Sequence, residues 1–266
     1  MKNKKATKET MLRLKEISIV ESMEQLARIP DGKVLINTIN AHSYNTAQKD
    51  DAFAIALRDG DYLIPDGASI IKACQWLKAK SQPKERIAGW DLFLFEMRRM
   101  NESVNHNLDD GLDGLTINAN EKRRVMFLGS SEKVLELIRR QAAIDYPNLE
   151  VVTYSPPYKP EFSNEDNRAM IKAINDANPD LLWIGMTAPK QEKWAYQHWN
   201  ELNIHCHCGT IGAVFDFYAG TAKRAPLWWQ EHSLEWLYRL LKEPKRMWRR
   251  YVIGNPLFLW NVMKEK

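Results

Sequence analysis

The chain has 266 residues, 44% of them apolar and 27% charged, with a formal net charge of +4. That length suits one large α/β domain or two small ones, and the balance excludes a disordered, collagen-like or disulfide-built protein. Three cysteines, Cys74, Cys206 and Cys208, are too few for a disulfide framework, so a reducing cytosol is the expected compartment. No apolar run approaches the roughly 20 residues of a membrane span, and the opening MKNKKATKETMLRLKE lacks the apolar stretch of a signal peptide.

The elements follow in chain order. Val34–Ile39 reads as a buried strand and 46–58 as a helix. Tyr62–Pro65 is a short strand, 70–80 a helix, 87–89 a further short strand and 91–100 a helix. After a polar loop or insertion at 101–122, strands at 124–128, 149–154, 181–185 and 204–208 alternate with helices at 131–146, 165–178 and 189–202. Alternation of this kind implies βαβ units and a mostly parallel sheet, hence the α/β class. From Pro226 the pattern is wholly helical, broken at Pro244 and Pro256.

The charge is uneven. Residues 1–15 carry +5, residues 16–221 carry −7 and residues 222–266 carry +6. Five of the ten tryptophans, Trp228, Trp229, Trp236, Trp248 and Trp260, also lie in the last segment. The expected organisation is a basic N-terminal segment 1–15, an α/β domain 16–221 and a helical, basic, Trp-rich appendage 222–266. Such an appendage suits an anionic, partly apolar surface.

Polar residues gather just past the expected strand ends: Thr38 and Asn40, Asp66, Gly129–Ser130, Ser155, Thr187 and Gln191, and Gly209–Thr210. In open α/β sheets, ligands bind in the crevice outside those ends. Asp66 reads either as a helix N-cap or as a general base, and the residues alone favour the cap. Phe127–Ser131 is a strand, small turn and helix start that could present N–H groups to a phosphate, but it lacks full GxGxxG spacing. His205-Cys206-His207-Cys208 alternates across a strand, so four ligands cannot converge and a buried strand is the better reading than zinc. Asp59-Gly60-Asp61 reads as a turn, and Asp109–Gly114 only faintly resembles a calcium loop. Arg239, Lys242, Arg246 and Arg249 would form one stripe on continuous helix, but Pro244 interrupts that helix, so a bent stripe is expected. That stripe is either a solvated basic face or an interfacial helix surface with arginines on phosphate.

Several segments together resemble the WecG/TagA/CpsF glycosyltransferases of bacterial surface-glycan synthesis. They are TINAHSYN (38–45), PDGASI (65–70), ERIAGWDLF (85–93), NPDLLWIGMTAPKQEKW (178–194) and the long block 209–259. The first 15 residues and loop 101–122 lie outside the pattern, Ala68-Ser69 departs from it slightly, and HCHC is local to this chain. The resemblance implies Rossmann-like parallel sheets with flanking helices. It implies inverting transfer of an N-acetylmannosamine-type sugar from a UDP donor to an undecaprenyl-diphosphate-linked sugar, with no metal or other cofactor, at the cytosolic face of the membrane. It makes Asp66 the catalytic base. It places Thr38, Asn40, Arg86, Gln191 and Asp216 around the donor, and Gly129 belongs to the same expected site through its turn. It puts Arg239, Arg246 and Arg249 on the lipid diphosphate. The sequence leaves the oligomeric state open; among soluble homo-oligomers a two-fold dimer is the common form. Two other readings stay open. A nicotinamide-dependent oxidoreductase would use the FLGSS turn, and a nucleic-acid-binding protein would use the basic tail.

Overall fold

The computed structural model describes residues 11–106, 122–232 and 234–266, without the side chains of 103–106, 231 and 246. Residues 1–10 of the basic start, most of the loop 101–122 and the Asp109–Gly114 motif therefore lie outside the described residues.

In chain order the elements are α1 (Met23–Ala27), β1 (Val34–Ile39), α2 (Ala41–Ala47), α3 (Asp51–Arg58), β2 (Tyr62–Pro65), α4 (Ala68–Leu77), α5 (Gly89–His106), β3 (Arg123–Gly129), α6 (Glu132–Asp145) and β4 (Leu149–Tyr154). Then come α7 (Asn164–Ala177), β5 (Leu181–Gly185), α8 (Lys190–Gln197), β6 (His207–Thr210), α9 (Val214–Tyr218), α10 (Leu227–Glu231), α11 (Glu235–Lys242) and α12 (Pro244–Trp248). A π-helical segment, Arg249–Ile253, leads into α13 (Gly254–Met263). The six strands form one sheet in the order β2-β1-β6-β5-β3-β4. The α/β class with a parallel sheet and a helical C-terminal segment is as the sequence implies.

The chain divides into two compact units. Among the described residues, the first comprises 11–29, 37–88, 223–232 and 234–266, and the second 30–36, 89–106 and 122–222. The C-terminal helices belong to the same unit as 37–88. Phe258 and Val262 of α13 are buried in one cluster with Leu12, Leu14, Tyr44 and Phe53. Glu265, also buried, accepts hydrogen bonds from the Leu14 and Lys15 amides at 3.0 and 2.9 Å and from the Tyr44 hydroxyl.

In the second unit, β3 pairs in parallel with β4 and β5, and β5 pairs in parallel with β6. Residues 34–36 of β1 pair with 207–209. One face is packed by Met126, Leu128, Ile174, Ile184, Trp194 and Cys208. Phe93, Phe127, Trp183, Phe215 and Tyr218 form a second, aromatic cluster. Gly129 (φ +125°) and Gly185 are register partners, and a Cβ on Gly129 would lie 2.3 Å from the Gly185 carbonyl oxygen. Only glycine permits that approach and that dihedral.

Four local expectations are corrected. The single helix at 46–58 is two, because the Asp50 carboxylate accepts from the Phe53 amide and starts a new helix. Residues 87–89 form no strand: Ile87 donates one backbone bond to Pro65, and Gly89 opens α5. That helix continues through 101–106, which were expected in the loop. The strand expected over 204–208 runs over 207–210 instead. The Asp59-Gly60-Asp61 turn holds, with a Gly60 Cβ excluded by the Asn37 side-chain nitrogen at 2.6 Å.

Candidate active site

The first unit contains a cavity of about 710 Å³ at the ends of β1 and β2. It is within the size range of small-molecule sites. Its charged lining is Asp66, Lys72, Arg86, Glu235, Arg239 and Arg250. Trp76, Trp236, Phe258, Leu259 and Val262 supply apolar wall. The lining thus combines charged and apolar side chains.

Asp66 directly follows β2. Its amide donates to the Ile39 carbonyl at 2.8 Å, which ties it to the end of β1. Gly67, at φ +140° and ψ 141°, then turns the chain into α4 as the N-cap residue, and no side chain caps that helix. The Asp66 carboxylate is therefore not spent as a cap, contrary to the reading that the residues alone favoured. It accepts instead from Asn40 Nδ2 at 3.4 Å. Asn40 itself caps α2: its Oδ1 accepts from the His42 and Ser43 amides at 3.0 Å each, and Ser43 answers in a capping box. Fixing Oδ1 on the helix fixes which way the amide points, so Nδ2 faces Asp66.

Glu235, at the start of α11, joins two arginines. Its Oε2 lies 3.3 Å from Arg86 Nη1 and its Oε1 lies 2.7 Å from Arg239 Nη2. All three side chains are largely buried. Burial raises the Asp66 pKa above the usual aspartate value, and Glu235 adds to this while Arg86, Asn40 and Arg239 oppose it. A carboxyl so tuned is a stronger base than an ordinary aspartate, as proton removal from a hydroxyl requires.

Of the residues expected at the donor, Asn40 and Arg86 line this cavity and Thr38, half-buried on β1, does not. Of the expected lipid-diphosphate arginines, Arg239 lines it, Arg249 is exposed with its guanidinium 5.5 Å from the Trp248 ring, and the Arg246 side chain lies outside the described set. Gly129, Gln191 and Asp216 belong to the second unit. Gly129 is accounted for there by close strand packing. Gln191 is buried, accepting from the Met186 amide at 3.0 Å and donating to Glu192 at 2.8 Å. Burial pushes the Glu192 carboxyl up to about 7. Asp216 is exposed and accepts from the Thr221 hydroxyl at 3.3 Å. Thr210, one of the strand-end polar residues, is fully buried.

The HCHC segment is structural. Cys206 and Cys208 are buried free thiols, and His205 is exposed. Both ring nitrogens of His207 are engaged, Nδ1 with Glu96 at 2.8 Å and Nε2 with the Pro30 carbonyl at 3.0 Å.

Sequence reasoning missed Glu235 and Arg250. Glu235 opens an amphipathic helix like many surface glutamates. Its role depends on Arg86, 149 residues away.

Comparison with known proteins adds a further line of evidence. The model of the WecG/TagA/CpsF glycosyl transferase family matches residues 10–266. The N-acetylglucosaminyldiphosphoundecaprenol N-acetyl-beta-D-mannosaminyltransferase of Bacillus subtilis (strain 168) is 27% identical over 232 residues, spanning 87% of this chain and 80% of the relative. Relatives of the same description from Bacillus spizizenii and Staphylococcus aureus (strain MW2) are 26% and 27% identical. The alignments cover 94% of this chain in each case, with 86% and 88% of the relative. This chain belongs to the WecG/TagA/CpsF family of glycosyltransferases.

Proposed function

We propose that this glycosyltransferase moves an N-acetylmannosamine-type sugar from a UDP donor to an undecaprenyl-diphosphate-linked N-acetylglucosamine, inverting the anomeric centre, in synthesis of a surface polysaccharide or teichoic-acid-type polymer. The observation that carries the reading is Asp66, a strand-end carboxylate that caps no helix, faces a cavity and has raised proton affinity. The acceptor named for the relatives agrees with it.

In this reading Asp66 takes the proton of the acceptor hydroxyl as its oxygen bonds to the anomeric carbon. The bond from that carbon to the UDP oxygen breaks, and the departing diphosphate keeps the electron pair. The transition state is oxocarbenium-like, and the leaving group gains charge. Arginines in a partly buried site stabilise such charge more strongly than water-exposed ones. Asn40 orients Asp66, and Arg86 is the nearby cation for the donor diphosphate. Thr38, and within the second unit Gly129, Gln191 and Asp216, are proposed donor contacts on family resemblance.

No helix among the described residues is long and apolar enough to cross a membrane. The last 44 residues nevertheless expose Trp228, Trp248, Val252, Ile253, Leu259 and Trp260. We assign this apolar, basic surface to the cytosolic face of a membrane, where aromatic rings sit at the headgroup level.

The test is transfer of radiolabelled N-acetylmannosamine from its UDP donor to N-acetylglucosaminyl-diphospho-undecaprenol, with the anomeric configuration of the product read by NMR. Transfer with inversion, unaffected by EDTA, is expected. Absence of transfer from every UDP-sugar tried would remove the reading. Because α13 contributes to the core of its unit, the membrane assignment is tested by point changes and not by truncation. Trp228→Ser, Trp248→Ser and Trp260→Ser together should release the protein from anionic liposomes. Undiminished co-sedimentation would refute the assignment.

A further inference from the structure

The basic stripe read from helical spacing does not survive as one face. Glu243 stands outside helical geometry between α11 and α12, and Pro244 starts α12 afresh. The following segment, Arg249–Ile253, is π-helical. Each interruption resets the angular register, since a π turn closes on i+5 instead of i+4. As a result Arg249 is exposed, whereas the next residue, Arg250, lines the cavity.

Of the cations lining that cavity, Lys72 is exposed, and the three arginines are not equivalent. Arg86 and Arg239 both bear on the single carboxylate of Glu235. Arg250 has no carboxylate partner among the described residues, and its Nε is buried without a hydrogen-bond acceptor. Its guanidinium carbon stands 5.7 Å from the Tyr251 ring centroid, within cation–π range. A buried guanidinium donor without an acceptor costs free energy. A planar fork of donors beside a polar cavity matches the paired oxygens of a phosphate.

We propose that Arg250 is the principal phosphate-binding residue of this cavity, receiving the diphosphate of the acceptor while Glu235 holds Arg86 and Arg239 in place. The identification of the ligand as a lipid-linked diphosphate rests on the transferase reading. The anion-binding role itself does not. The apolar wall at Trp76, Phe258 and Leu259 then accepts the first part of a prenyl chain attached to that diphosphate.

The test uses the full chain and two readouts. Binding of inorganic pyrophosphate is measured by calorimetry at fixed salt. The KM for an N-acetylglucosaminyl diphosphate bearing a short prenyl chain is measured in the transfer assay. Arg250→Gln should weaken pyrophosphate about ten- to hundredfold and raise the acceptor KM similarly, as loss of a charge-assisted contact of about 1.5–3 kcal/mol implies. The donor KM should stay constant. Lys245→Gln removes the same charge from an exposed position and should change neither value more than about twofold. If Arg250→Gln fails to fold, Arg250→Lys keeps the charge, loses the fork and should show an intermediate loss.

Weakened pyrophosphate binding in the variant, with no sugar transfer by the wild type, leaves the phosphate site standing and removes the transferase reading. Sugar transfer by the wild type, with pyrophosphate affinity and acceptor KM unchanged in Arg250→Gln, overturns the proposal and leaves the transferase reading intact. A wild type without measurable affinity for pyrophosphate, together with an unchanged acceptor KM in the variant, also overturns it. Equal losses in Arg250→Gln and Lys245→Gln reduce the effect to general charge and overturn it as well.

Discussion

Asp66→Asn removes a negative charge and a base while keeping the side chain's shape. The one side-chain hydrogen bond it disturbs, from Asn40 Nδ2, is long at 3.4 Å, and the amide oxygen of Asn can still accept it. The structural loss is therefore small. Loss of a general base costs about 10²–10⁴ in rate, or about 3–5 kcal/mol of transition-state stabilisation. Stability should move the other way. Burial raises the Asp66 pKa, so the folded protein binds this proton more tightly than the unfolded chain. The stability due to this group is fully present below the ordinary aspartate pKa, about 3.9, and is lost as pH rises through the folded value. Above the folded value the ionised Asp66 destabilises the fold, and Asn relieves that cost. The expected pair of results is kcat reduced at least a hundredfold and Tm at pH 7 equal to or above wild type, with any gain disappearing near pH 4. Transfer of labelled sugar and a thermal melt at two pH values measure both. A variant that keeps kcat within about threefold would refute the base assignment. A large fall in Tm would instead make Asp66 a structural residue.

Glu235→Gln should lower the Asp66 pKa, because it removes a like charge and releases two opposing arginines; the acid limb of kcat/KM should therefore move to lower pH, and a limb that stays or rises contradicts the arrangement. Gly129→Ala places a Cβ 2.3 Å from the Gly185 carbonyl oxygen at φ +125° and should cost about 3 kcal/mol in urea unfolding, with a change under about 0.5 kcal/mol contradicting the packing. Glu265→Ala strips the Leu14 and Lys15 amides and the Tyr44 hydroxyl of their acceptor, and about 3 kcal/mol of stability should be lost. An unchanged melt would show that the C-terminal helix contributes little to the fold of its unit.

Much of this protein is legible without coordinates. The alternation of strand-length apolar runs with helical spacing gives the α/β class, and Tyr62–Pro65 and Leu181–Gly185 lie where the apolar runs put them. Helix starts are equally local: Asn40, Asp50, Ser131 and Ser163 each accept from amides two or three residues ahead. The splitting of 46–58 was present in Asp50 but hidden by apolar spacing that continues across the break. Asp66 was visible as a strand-end carboxylate. Its freedom from capping was not, because that depends on the dihedrals of Gly67.

What only the tertiary structure decided is which groups meet. Glu235 serves Arg86 across 149 residues of chain, and Glu265 serves Tyr44 across 221. No periodicity encodes such partnerships, since they arise when separate elements are packed on a common core. The basic tail shows the same division. Its charge and tryptophans are sequence facts, and they mark it for an anionic, apolar surface. Which arginine faces the cavity was settled by the break at Glu243 and the π segment, because a helical face can be read from spacing only while the helix keeps one register.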